Sequence, residues 1–132
     1  MRKLLLGMAV LGVAMGTAWT FSGAAQKDDD DKKKPKYTIK EVMAKAHTGK
    51  DSLLTKYNDG KASKEDLKTL LEMYRALEVN KPPKGKEAEW KERTKKLVEA
   101  ANAAVENKKE AKALLATATK CDTCHKAHRG KE

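Results

Sequence analysis

From residue 38 onward, apolar side chains recur at three- and four-residue intervals, and no stretch alternates apolar and polar at every second position. That period belongs to helices with one buried face rather than to strands. Ile39, Val42, Met43, Ala46 and His47 share one such face, opened by the capping box Thr38-x-x-Glu41. Gly49 interrupts it. Leu53, Leu54 and Tyr57 then predict a short helix ahead of the turn Asn58-Asp59-Gly60. Ser63-x-x-Asp66 caps the next helix, whose stripe is Leu67, Leu70, Leu71, Tyr74 and Leu77, with Met73 off it. Lys81-Pro82-Pro83-Lys84-Gly85 is a firm break. A third long helix carries Trp90, Leu97, Val98, Ala101, Ala104 and Val105, and Asn107 marks a turn. A fourth carries Ala111, Leu114, Leu115, Ala118, Cys121 and His125 and ends at Gly130. Four amphipathic helices with short links predict an all-α fold, an antiparallel four-helix bundle.

The chain ahead of residue 37 has a different character. Met1-Arg2-Lys3 is a basic start, residues 4–21 are apolar and uncharged, and Ser22-Gly23-Ala24-Ala25 offers a small-residue cleavage region. This predicts a secretory signal peptide over residues 1–25, cut near Ala25. The alternative is an uncleaved membrane anchor, for which the apolar run is just long enough; Gly12 and Gly16 form a weak G-x-x-x-G within it. Either way the globular part, residues 37–132, is expected outside the cytoplasm, in the periplasm, and soluble once the signal is cut. Residues 26–36, QKDDDDKKKPK, read as a disordered charged linker. Loss of Arg2 and Lys3 takes the net charge from +10 to about +8. A basic surface of this kind suits solubility and docking to an acidic partner. No nucleic-acid-binding motif accompanies it.

The chemistry sits at the C-terminal end. Cys121 and Cys124 are the chain's two cysteines, and His125 follows the second. Cys-x-x-Cys-His is the attachment signature of a c-type haem. Two thiols three residues apart on a helix point the same way, as they must to add across the two vinyl groups of one haem. The adjacent imidazole then ligates the iron from one face. Other uses of the motif fit less well. A thioredoxin-like pair opens a helix after a strand, and no strand pattern occurs here. A zinc site needs four ligands, and Cys121, Cys124 and His125 or His128 supply three. A disulfide so local would constrain little chain. The small residues Ala101, Ala104, Ala111 and Ala118 allow close helix packing or leave room for a flat macrocycle.

Four helices with Cys121-Asp122-Thr123-Cys124-His125 near the end of the last, and basic Arg129 four residues beyond His125, resemble the class II cytochromes c. These comprise the cytochrome c′ group and its low-spin six-coordinate relatives. The resemblance spans about residues 37–130. It implies one covalent haem c, thioether bonds at Cys121 and Cys124, and His125 as the proximal iron ligand. It also places the distal residue on the first helix, a methionine in six-coordinate members and an apolar residue in five-coordinate ones. Met43 matches the methionine, and His47, one turn further along the same face, is the rival ligand. The chain departs from the pattern in its short first helix, in His128 before the basic residue, and in lacking an arginine on the first helix. His128 is expected at the haem rim or in solvent.

The expected function is therefore a periplasmic monohaem cytochrome that carries single electrons to or from a redox protein partner, an acidic one on the charge pattern. It is expected to be a carrier and not an enzyme, and a monomer or homodimer. The alternative is a five-coordinate binder of nitric oxide or carbon monoxide, with Ile39, Val42 and Met43 lining an apolar distal face. A peroxidase-like role would need distal acid–base groups, for which the first helix offers only His47 and Glu41.

Overall fold

The computed structural model describes residues 34–130. The expected leader and most of the expected linker lie outside them. The described residues contain helices and no strand, so the fold is all-α. Helix α1 (Ile39–Val42) runs into a π-helical turn over Met43–His47. Then come α2 (Leu53–Asn58), α3 (Lys64–Val79), α4 (Glu87–Val105), α5 (Ala111–Ala118) and α6 (Cys121–His128). No described helix is long and apolar enough to cross a membrane.

Local chemistry explains most of these boundaries. Both capping boxes form: the Thr38 hydroxyl accepts from the Glu41 N–H while the Glu41 carboxylate accepts from the Thr38 N–H, and Ser63 and Asp66 do the same for α3. Each satisfies two donors that a helix start otherwise leaves unpaired. Gly49, with φ of +93°, ends the first helical stretch, and Asn107, with φ of 55°, turns the chain between α4 and α5. Both adopt left-handed backbone, which glycine and asparagine tolerate best.

The core is built mainly on α3 and α4. Leu70, Tyr74 and Leu77 of α3 meet Trp90, Leu97 and Ala101 of α4, while Val42 and Ala46 close one side and Ala111 and Leu115 another. Full burial of one such leucine contributes about 2 kcal/mol. Trp90 adds a directional tie, its indole N–H donating to Leu77 O at 2.9 Å. Met73, expected off the α3 stripe, is only 2% exposed. Helix α3 has neighbours on two sides, the first helical stretch with α2 and then α4, so its buried face is wider than one stripe.

The expected continuous fourth helix is two helices. α5 ends at Ala118, Thr119 caps it, and Lys120 is extended, with ψ of 103°. The Thr119 hydroxyl bonds back to Leu115 O at 2.6 Å and its N–H to the same carbonyl. Such back-bonding by a β-branched residue competes with helix continuation. The break gives the Cys-x-x-Cys-His segment a helix of its own, with a direction independent of α5.

Candidate functional site

Helix α6 presents the three motif side chains at the surface. Cys121 and His125 are exposed and Cys124 is half-buried. Both cysteines are free thiols. The Cys121 thiol donates to Thr119 O across 3.7 Å, at the break between the helices. Cys124 turns inward against the core. Burial pushes its thiol pKa up, Arg93 on α4 pulls it down, and Cys121 adds to the rise. Arg93 also lines an open groove of about 540 Å³ with Asp122, Thr123, Lys126 and Ala127.

The C-terminal end of α6 is fastened. His128, expected at a rim or in solvent, is 2% exposed. Its Nδ1 lies 3.0 Å from Lys84 O. A carbonyl only accepts, so Nδ1 carries the proton and donates. The ring stands edge-on to Trp90, centroids 5.4 Å apart and planes at 79°. The loop between α3 and α4 passes so close that a Cβ on Gly85 would lie 2.5 Å from Ala127 O and 2.8 Å from His128 Nδ1. With φ of +83° as well, Gly85 is there because nothing larger fits. His128 is buried because this loop folds over it, a contact 44 residues apart in sequence.

Of the two candidate ligands on the first helical stretch, Met43 is half-buried and packs against the core. His47 ends the π-helical turn, and its Nε2 is sealed from solvent with no hydrogen-bond partner. Its ring stacks on Tyr74 with centroids 5.6 Å apart and planes at 31°. Burial lowers the His47 pKa, and the charge of His125 lowers it further, so the two histidines lie within electrostatic range. Tyr74 is fully buried, and its hydroxyl too lacks a partner. Burial holds that phenol far above its ordinary value, with Cys121 adding to the effect.

The fold thus brings His47 and Tyr74 toward the residues of α6, which the sequence pattern leaves at the other end of the chain. Tyr74, Arg93 and Gly85 are the site residues that the sequence reading missed as such. Tyr74 carried one signal, since a tyrosine on a buried stripe must find a partner for its hydroxyl or go without. Among the described residues, no three His, Cys, Asp or Glu side chains converge to hold a bare metal ion. No protein-family model, no curated protein and no solved structure matches this chain.

Proposed function

We propose that the protein is a periplasmic c-type cytochrome with one covalent haem, similar to the class II cytochromes c and arranged as an antiparallel four-helix bundle. Cys121 and Cys124 would form the thioethers, His125 would ligate the iron, and Met43 or His47 would take the sixth position. The observation that carries this reading is the Cys-x-x-Cys-His triplet on a short separate helix, thiols free and imidazole exposed, with His125 and Cys121 in electrostatic range of His47 and Tyr74, whose buried polar atoms lack partners.

The residues fit such a group. Buried polar atoms in folded proteins are nearly always paired; here His47 Nε2, the Tyr74 hydroxyl and His128 Nε2 are not, and the first two, in electrostatic range of the motif, suit a bound partner. Arg93, whose charge reaches Cys124, supplies a cation suited to a haem carboxylate. The haem, when bound, supplies a one-electron couple whose potential depends on the axial ligands and on burial.

The chain's own residues do the rest. The two thiols keep the group from dissociating. His128 and Gly85 hold α6, and with it His125, at a set angle to the core. Exposed Lys120 and Lys126 flank the motif and orient an acidic redox partner. With both axial positions held by protein side chains, the site would offer no place for a substrate, which suits a carrier rather than an enzyme. The gas-binding alternative draws no comparable support: Val42 is fully buried, and the unpartnered atoms near the motif are polar.

The test is expression with export and haem-attachment machinery, followed by denaturing electrophoresis and a haem stain. Stain retained on the wild-type chain and lost in the C121A/C124A double variant is the expected result. A chain that exports and folds but never carries covalent haem would refute the reading.

A further inference from the structure

We infer that His47, rather than the methionine one turn before it, completes the iron coordination opposite His125, and that the Tyr74 ring fixes the orientation of its imidazole. This rests on the haem reading above and names a ligand that the resemblance to class II cytochromes c does not supply.

The first support is an unmet bonding requirement. A neutral imidazole has one donor and one acceptor nitrogen. His47 Nε2 is shut off from water and meets no partner within the protein. Leaving it so costs free energy, and metal coordination is one of the few ways to satisfy a buried ring nitrogen. Met43 carries no such debt, because a thioether sulfur is a weak acceptor that packs well among apolar neighbours, as this one does.

The second is backbone geometry. Over Met43–His47 the helix widens to π spacing, closed by the Thr48 N–H donating to Met43 O at 3.0 Å and by the Thr48 hydroxyl donating to the same oxygen at 2.9 Å. The wider turn re-aims its last residue, His47, away from the direction that α-helical spacing implies. Single π turns are uncommon and concentrate where a side chain must be placed for function.

The third is the support behind the ring. Ligating histidines are held in orientation by neighbours outside the coordination sphere. Tyr74 is immobilised within α3 and lies against the His47 ring at 5.6 Å. His47 is also within electrostatic range of His125.

The test uses the full-length holo-protein and three variants, M43L, H47A and Y74L. Haem staining comes first, and absence of covalent haem overturns the haem reading together with this one. With haem attached, the expected wild-type spectrum is low-spin and lacks the methionine–iron charge-transfer band at the far-red edge. M43L should keep that spectrum. H47A should become high-spin, bind carbon monoxide and return to low-spin on adding imidazole. Y74L should stay low-spin with altered electron paramagnetic resonance anisotropy, since only the ring plane is released. A methionine band in the wild type, a high-spin wild type, a high-spin M43L or a high-spin Y74L would overturn the assignment while leaving the covalent haem intact. So would an H47A protein that stays low-spin without added ligand. If H47A fails to fold, the wild-type and M43L spectra decide between the two ligands.

Discussion

Gly85 and His128 show how a single missing methyl group can position a functional helix. The glycine's positive φ and its contacts with Ala127 O and His128 Nδ1 exclude any side chain. Gly85→Ala should therefore destabilise the protein by more than about 1 kcal/mol, read as a lower urea midpoint. Under the proposed function it should also shift the reduction potential of the haem-loaded protein, because the strain falls on the end of α6. A stability loss with an unmoved potential would reduce Gly85 to a folding role. His128→Phe keeps a ring against Trp90 but removes the donor to Lys84 O. It should cost about 1 kcal/mol, the net worth of one hydrogen bond.

Helix α3 opens on a capping box. Ser63→Ala removes the acceptor for the Asp66 N–H and should cost about 1 kcal/mol in chemical denaturation. The cap is also pH-sensitive. The Ser63 backbone N–H and then its hydroxyl hold the Asp66 carboxyl below its ordinary value of 3.8, and the Lys56 charge adds to this. A carboxyl with a lower pKa folded than unfolded stabilises the fold while ionised and loses that contribution as pH falls below the unfolded value. Stability should thus decline on acidification below 3.8, and Asp66→Asn should flatten that part of the profile. An equally steep decline in D66N would assign the acid sensitivity to other carboxylates. The first helical stretch and α5–α6 follow different rules: each is interrupted within a few residues, by the π turn and by Thr119–Lys120, and each interruption redirects a candidate site residue.

For the molecule as a whole, charge is the property that reaches furthest. Lysine and arginine outnumber the acidic residues, 29 against 19. Exposed Lys120 and Lys126 sit beside the motif cysteines. Under the proposed function, electron exchange with an acidic partner should slow as salt is raised, because screening shortens the range of steering. K120E/K126E should reduce the bimolecular rate at low salt on the order of tenfold and weaken its salt dependence. A rate indifferent to both changes would place the docking face elsewhere.

The sequence alone determined much of what depends on neighbours within about one helical turn, the π turn at Met43–His47 and the break at Thr119–Lys120 excepted. The capping boxes at Thr38 and Ser63, the turn at Asn107, the helical period and the presentation of Cys121, Cys124 and His125 on one helix are interactions of that range. Tertiary structure decided what lies across the fold. Met73 is buried because α3 has neighbours on two sides, His128 because a distant loop folds onto it, and His47 meets Tyr74 because the first helical stretch packs on α3. Periodicity states which residues share a face. It does not state which second element will cover that face, and the surroundings of His47 follow from that cover.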